Sequence, residues 1–323
     1  MLRVQFSQEQ IVLTIFLVVF VCFSVFLHGF LSIGNLLNLL RSVAVLGMLS
    51  IGMALVVIGR GIDLSIIANL VISMGFALFL ANSGYSLPAA LGIGFCFSLA
   101  FGLINGILVA YVEIPALFAT LAFGTAIYGF GRAYLIPMDV VYLPPGTGWL
   151  EFLGKGSILN VPMPIVNFLV LAIIVYAVLK FTKFGWYVYG IGENFLCARI
   201  TGIPVRVVTV LQYVVSAGIT FVAGAVFAAS VSSINTRLFN STMIYDVILV
   251  VVLGGISLSG GKGGIRNVIV GALLVGTLLN GMTIMDMPLT LQNLAKGILL
   301  IVAIMIDAIL NPRDEQVAQQ GDI

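Results

Sequence analysis

Charged side chains and histidine are scarce in this sequence. Only 8% of its 323 residues are charged, against about 25% in a soluble domain, so a water-facing surface cannot be built from it. His28 is the single histidine, and H-E-x-x-H and G-x-S-x-G motifs are absent, which argues against a hydrolase. Cys22, Cys96 and Cys197 lack the paired spacing of zinc or disulfide frameworks. The net charge of +2 predicts no nucleic-acid binding.

Long apolar runs take the place of the missing charge. Hydrophobic residues make up 61% of the chain, and "IVLTIFLVVFVCFSVFL" at 11–27 is one of many such runs. About 20 apolar residues in a helix span the hydrocarbon core, whereas barrel strands alternate apolar and polar residues. The sequence therefore predicts an all-α polytopic membrane protein, with residues 1–323 forming a single transmembrane domain. We place about ten transmembrane helices at 11–28, 42–59, 64–82, 87–111, 115–131, 163–180, 206–230, 243–258, 266–285 and 291–310.

The first of these runs has no A-x-A-like cleavage site, so we expect it to be a retained helix rather than a removed signal. The cationic residues then predict the orientation, since lysine and arginine favour the cytoplasmic side. Both termini are expected in the cytoplasm and the segment 132–162 outside. The cations placed inside are Arg3, Arg60, Lys180, Lys183, Arg199, Arg206, Lys262, Arg266 and Arg313. Those placed outside are Arg41, Arg132, Lys155, Arg237 and Lys296.

A short internal echo suggests a repeat. "LINGIL" at 103–108 in the predicted fourth helix is similar to "LLNGMT" at 278–283 in the ninth. These two helices run in opposite directions in the predicted topology. Helices two to five and seven to ten are therefore candidates for an inverted repeat, a common transporter design with the pathway at the repeat interface. Chance similarity is the alternative for so short an echo.

The stretch "GGISLSGGKGG" at 254–264 has the composition of a nucleotide-binding loop but not its pattern. A Walker A loop requires G-x-x-x-x-G-K-[ST], in which the hydroxyl holds magnesium. Here Gly263 follows Lys262, and Ile256 occupies the position of the first glycine. A membrane helix, not a strand, precedes the stretch. We interpret it as a tight cytoplasmic turn and expect no nucleotide or other cofactor on this chain.

Three stretches, read in order, carry a family resemblance. They are "VVIGRGIDLS" at 56–65, "KFGWYVYGIGENFLCARITGIPV" at 183–205 and "YDVILVVVLGGISLSGGKGGI" at 245–265, and "IPALFATLAFG" at 114–124 also fits. Together they resemble the permease subunits of sugar-importing ABC transporters, the family of the ribose permease. The sequence departs from the family pattern at Arg60, at "IIAN" (66–69) and at Ile244. The sugar-like cargo and the choice between homodimer and heterodimer therefore stay open.

The resemblance implies a transport subunit of the bacterial inner membrane that is not itself an enzyme. It implies a cytoplasmic ATPase subunit that carries ATP and magnesium, a second permease subunit, and an extracytoplasmic solute-binding protein that docks on the 132–162 face. The segment 184–205 would couple the chain to the ATPase. Without the family, the same segment could be an interfacial loop held by Lys180, Lys183 and Arg199 against anionic lipid. The residues assigned to coupling are Gly192, Glu193, Asn194, Ala198, Arg199, Gly202 and Ile203.

Polar residues near or inside apolar helices are candidates for the translocation path, and each has a structural alternative. Asp63 could pair with Arg60 or cap a helix. Asp246 could cap a helix or pair with Arg237. Buried amides and hydroxyls commonly link helices to each other. The candidates are Arg60, Asp63, Asn69, Asn105, Phe118, Thr120, Asp246 and Asn280.

A secondary transporter driven by an ion gradient is the rival function. It would need ionisable residues in the membrane interior. The carboxylates Asp246, Asp286 and Asp307 are all predicted near helix ends, which disfavours it.

Overall fold

The computed structural model describes residues 8–310, which form thirteen α-helices and four very short strands. Arg3 and Arg313, which enter the predicted orientation, lie outside these residues. The apolar helices are α1 (Gln8–Phe26), α2 (Ile33–Ile58), α3 (Ile66–Asn82), α4 (Leu87–Ala110), α5 (Ala116–Phe130), α7 (Met163–Phe181), α10 (Val205–Val231), α11 (Met243–Leu253), α12 (Ile265–Ile284) and α13 (Leu289–Leu310). The short amphipathic helices are α6 (Gly148–Lys155), α8 (Lys183–Glu193) and α9 (Phe195–Ile200).

Seven of the described helices are long and apolar enough to cross a membrane, namely α1, α2, α4, α7, α10, α12 and α13. The chain is thus a mostly helical polytopic membrane protein, as its composition predicts. The helices α3 and α11 are shorter, with 17 and 11 residues. The predicted eighth helix, 243–258, is too long: α11 ends at Leu253 because Gly255 adopts a positive φ of 92°.

The helix α2 lies at the centre of the bundle. Its side chains from Val43 to Ile58 are all buried, and it packs against α7, α10, α11 and α12. Its observed start, Ile33, precedes the predicted start because Ser32 caps it by accepting a hydrogen bond from Asn35 N. The peripheral helices α1 and α13 expose most of their apolar side chains. Such exposure fits a protein whose solvent is lipid.

The two halves of the bundle pack in matching ways. The helix α4 lies along α10, and α12 lies along α2. Close approach depends on small residues: a Cβ on Gly102 would lie 2.5 Å from Tyr213 O, and one on Gly276 would lie 2.2 Å from a methyl of Val43. Likewise α3 packs against α4 and α5, while α11 packs against α12 and α13.

The segments 131–162 and 232–242 meet at what we call the upper end. A π-helical turn, Gly131–Leu135, precedes β1 (Val140–Tyr142), which pairs antiparallel with β4 (Ser233–Asn235). The hairpin strands β2 (Ser157–Ile158) and β3 (Val161–Pro162) follow α6. Asp139 joins the two segments by pairing with Arg132 at 2.6 Å and Arg237 at 2.5 Å. The 132–162 connection is thus held to the segment 232–242 by the β1–β4 strand pair and the Asp139–Arg237 ion pair.

Candidate translocation and coupling site

The break between α2 and α3 holds a buried carboxylate. Asp63 is 3% exposed, and its Oδ1 accepts hydrogen bonds from Ser65 N at 3.0 Å and Ser65 Oγ at 2.6 Å. Ser216 Oγ donates to Oδ2 at 3.5 Å. Among the described residues Asp63 has no ion pair with Arg60, so that alternative is wrong. The Asp63 carboxylate does accept a backbone N–H at the start of α3, as a capping side chain would, but Ser65 rather than Asp63 occupies the N-cap position.

Side chains from three other helices hold this break in place. Asn105 of α4 donates from Nδ2 to Ser65 Oγ at 2.7 Å. Thr120 of α5 accepts from Leu64 N at 3.0 Å, and Tyr213 of α10 donates to Ile62 O at 3.2 Å. A buried carboxylate is tolerated only when hydrogen bonds replace its water. The break is therefore a built polar site in an apolar bundle, and we call Asp63, Ser65, Asn105 and Thr120 the break cluster.

Two amide oxygens, one in the break cluster and one next to it, are buried without a partner among the described residues. Asn69 lies one turn into α3 and is 4% exposed, while Asn105 is 1% exposed. Within the described residues, neither Oδ1 atom accepts a hydrogen bond. Buried acceptors without a donor are rare in folded proteins, so these two oxygens mark a polar site that the described side chains leave incomplete.

The second break, before α11, contains an ion pair that sequence reasoning missed. Lys296 Nζ of α13 lies 3.0 Å from Asp246 Oδ1 of α11, and the two side chains are 10% and 14% exposed. Lys296 also donates to Thr242 Oγ1 at 2.9 Å. The predicted alternative for Asp246, a pair with Arg237, is wrong because Arg237 pairs with Asp139. Fifty residues separate Asp246 from Lys296, and neither local pattern indicates the other.

The remaining path candidates lie elsewhere. Asn280 of α12 exchanges two amide hydrogen bonds, of 2.8 and 3.0 Å, with Asn35 of α2, so it joins these helices. Phe118 of α5 is 64% exposed, in contrast to the fully buried Thr120 of the same helix. Of the eight predicted residues, only Asp63, Asn105 and Thr120 form one cluster, with Asn69 adjacent.

Three segments that are far apart in sequence meet at the opposite, lower end, which carries residues 59–65, 183–204 and 254–264. Gly261 N donates to Ile58 O at 2.8 Å. A Cβ on Gly192 would lie 1.9 Å from Ile58 O and 2.4 Å from Gly261 N. A Cβ on Gly260 would lie 2.4 Å from Arg60 Cγ. We call Ile58, Gly192, Gly260 and Gly261 the glycine joint, since only glycine permits such close backbone packing.

Further contacts fix the turn 254–264 against this joint. Tyr189 of α8 donates from its hydroxyl to Gly263 O at 2.9 Å, and burial raises the pKa of this phenol. Asp307 Oδ2 of α13 accepts from Leu258 N at 3.0 Å. A nucleotide-binding loop directs its backbone N–H groups at a phosphate. Here the N–H of Gly261 instead donates to Ile58 O. The stretch is thus a packed turn.

The predicted coupling segment forms two short helices. Asn194 Oδ1 accepts a hydrogen bond from Cys197 N at 2.9 Å and caps α9. Ala198 is buried, whereas Glu193 and Arg199 are exposed. Gly202 ends α9 at a φ of 84°, and a Cβ there would meet nothing within 4 Å. Glycine is therefore needed at 202 for its backbone conformation and not for lack of space.

The segment 195–203 presents an outward surface at the lower end. Ile203 N closes α9 by donating to Ala198 O at 3.1 Å. Ile200 is 84% exposed at the end of α9, beside the exposed Arg199. Both side chains therefore face away from the bundle.

The helical bundle and its buried polar groups indicate the class of protein to which the chain belongs. A bundle of apolar helices in which breaks carry buried polar groups is a recurrent feature of membrane transporters. Residues 35–304 match the family described as the permease component of the branched-chain amino acid transport system, and the chain belongs to that family. It is accordingly a transport subunit and not an enzyme.

Relatives at 28–34% identity match most of the chain. The ribose import permease protein of Bacillus subtilis is 34% identical over 279 residues, covering 86% of each chain. The ribose import permease protein of Escherichia coli K12 is 29% identical over 305 residues, or 93% of each chain. The galactofuranose transporter permease protein of the same strain is 29% identical over 279 residues, covering 85% of this chain and 80% of its own. No solved structure gives a significant match.

Proposed function

We propose that this chain is the transmembrane subunit of an ATP-driven ABC importer and forms the path for a sugar or a similar small polar solute. The names of the relatives support this, since they are import permeases for ribose and a transporter permease for galactofuranose. The observation that carries the proposal is the glycine joint. It connects α8, which leads into the exposed segment 195–203, to Ile58 at the end of α2, just before the break that holds Asp63.

The translocation path runs past the break cluster. The unpartnered oxygens of Asn69 and Asn105 accept hydrogen bonds from cargo hydroxyls, and Asp63 keeps the break rigid through Ser65. These two acceptors are uncharged amide oxygens, which suit the hydroxyl donors of a polyol or sugar. The buried Asp246–Lys296 pair neutralises itself at the second break, which leaves no net charge there.

Ten spans, an inverted repeat and two cytoplasmic termini form the proposed topology. The matching packing of α2–α5 and α10–α13 supports the repeat, and so do the short helices α3 and α11 that follow the two breaks. In the first half, Thr120 of α5 bonds to the loop before α3, and in the second half Lys296 of α13 bonds to the loop before α11. The cations of the lower end support a cytoplasmic position for it, since lysine and arginine favour that side.

Transport is driven from outside the chain. An ATPase subunit, which carries ATP and magnesium, docks on the coupling residues 192–203 and displaces α8 and α9. The glycine joint passes this displacement to Ile58 at the end of α2, and so to the break cluster. A solute-binding protein delivers cargo at the upper end, onto 132–162. A second permease subunit completes the path in the bacterial inner membrane.

Reconstitution in proteoliposomes tests the proposal. The chain is reconstituted with a candidate ATPase subunit and a candidate solute-binding protein, and ATP-dependent uptake of labelled ribose and galactose is measured. We expect uptake that requires ATP and the loaded binding protein. The matched control is the chain alone under an imposed proton or sodium gradient. Uptake by the chain alone under a gradient would instead establish a secondary transporter.

A further inference from the structure

A cleft of about 480 Å³ opens at the lower end, away from the break cluster. It lies where the ends of α1, α7, α8 and α12 approach one another. Its polar lining includes Tyr176 and Lys180 of α7, Tyr189 of α8, Arg266 of α12 and Glu9 of α1. The translocation and coupling assignments use none of these side chains except Tyr189.

Two cations converge on one aromatic ring in this cleft. Lys180 Nζ donates to the Tyr176 hydroxyl at 3.0 Å and lies 5.3 Å from the ring centroid. The guanidinium carbon of Arg266 lies 5.7 Å from the same centroid. Neither cation has an ion pair among the described residues. Two like charges held this close are stabilised when an anion lies between them.

The exposed face of α7 that leads away from the cleft is apolar. Leu169, Ile173, Tyr176 and Lys180 follow one another at helical spacing, so they lie along one face of α7. Leu169 and Ile173 are 46% and 65% exposed. A ligand with a negative head in the cleft and an acyl chain along α7 would contact both parts. A soluble anion would leave the apolar stripe unused.

We propose that this cleft binds the phosphate headgroup of an anionic phospholipid. Lys180 and Arg266 contact the phosphate oxygens, and the acyl chains lie on Ile173 and Leu169. The carboxylate of Glu9 lines the same cleft and disfavours a second negative charge on the headgroup. Phosphatidylglycerol, which carries one phosphodiester charge, is therefore the matching probe. The site does not depend on which solute the protein transports.

Native mass spectrometry of the purified full-length chain tests the proposal. Delipidated protein is titrated with phosphatidylglycerol, and with phosphatidylcholine of the same acyl chains. The variants are Lys180→Gln, Arg266→Gln and the double variant, compared with Lys183→Gln. Lys183 is an exposed cation at the same end and is outside the cleft lining.

The wild-type chain should retain phosphatidylglycerol over phosphatidylcholine. Each single variant should weaken phosphatidylglycerol binding about fivefold and the double variant about 25-fold, because one cation near an anionic lipid contributes about 1 kcal/mol. Lys183→Gln should bind like wild type. Both substituted side chains are exposed, so unfolding temperatures should be unchanged.

Three results would overturn the assignment. The first is equal retention of the two lipids, and the second is an equal loss with Lys183→Gln. The third is displacement of the lipid by glycerol phosphate at equal concentration, which would mean that the acyl chains contribute nothing and that the site takes a soluble anion.

Discussion

The substitution Gly192→Ala tests whether the glycine joint transmits motion from α8 to α2. An added Cβ would lie 1.9 Å from Ile58 O, about 1.5 Å short of an ordinary carbon contact. The backbone fixes the position of the Cβ, and Ile58 O is itself a backbone atom, so a side-chain rotation cannot relieve the overlap. The neighbouring Gly261 N would be only 2.4 Å away. The joint must therefore open, and the 2.8 Å bond between Gly261 N and Ile58 O is the contact at risk.

The magnitude follows from these contacts. Overpacking costs about 1–3 kcal/mol, and the lost hydrogen bond costs about 1 kcal/mol more. Alanine in place of glycine inside α8 recovers about 1 kcal/mol of helix propensity. We therefore expect a net loss of about 1–3 kcal/mol in the free energy of unfolding, with a larger loss of coupling, because the joint is the direct contact between α8 and the end of α2.

Gly190→Ala is the matched control. Gly190 lies two residues earlier in the same helix, and its added Cβ would meet only the Ile203 Cδ1 at 3.4 Å. Thermal unfolding and ATPase stimulation by loaded binding protein are measured for both variants in the reconstituted complex. Gly192→Ala should lower both quantities, and Gly190→Ala should lower neither. Identical behaviour of the two variants would refute the role assigned to the joint.

Three further predictions concern the two breaks and the coupling surface. Lys296→Met should lower the free energy of unfolding by about 3–5 kcal/mol, because it leaves the buried Asp246 carboxylate without its counter-charge. Adding Asp246→Asn should restore most of this stability, as measured by thermal unfolding. A double variant no more stable than Lys296→Met would contradict the pairing. Asp63→Ala should lower the free energy of unfolding by about 1–3 kcal/mol, because it leaves the Ser65 donors unpaired. Asp63→Asn, which keeps an acceptor, should cost less. Equal unfolding temperatures for the two variants would contradict the role of the Asp63–Ser65 hydrogen bonds. Arg199→Glu or Gly202→Trp should reduce cargo-stimulated ATPase activity while basal activity of the ATPase subunit is kept, and undiminished stimulation would remove the coupling assignment.

Composition alone was enough to predict the class of fold. A chain with 8% charged residues and many apolar runs cannot form a water-facing surface. In lipid such runs form helices, because the backbone groups must then be paired internally. The ten predicted helices correspond to α1–α5, α7 and α10–α13, with shifts at their ends. The permease family was likewise predicted from motifs in register, and the match over 35–304 confirms it.

The polar contacts were only partly predictable. Asp63 and Asn105 were named as candidates because polar residues in apolar helices are unusual, but their link through Ser65 depends on how α4 crosses α3. The Asp246–Lys296 pair was missed for the same reason. Sequence spacing indicates which face of one helix a residue occupies, and it carries no information about which helix lies opposite.

The sequence by itself determined that the chain is a helical membrane permease, that the stretch 254–264 departs from the Walker A pattern, and that glycines cluster in this turn. Only the tertiary structure decided what those glycines do. Gly192, Gly260 and Gly261 are needed because three backbones approach within hydrogen-bonding distance at one point. That approach is a property of packing between segments about 70 and 130 residues apart, where steric exclusion acts on neighbours in space and not in sequence.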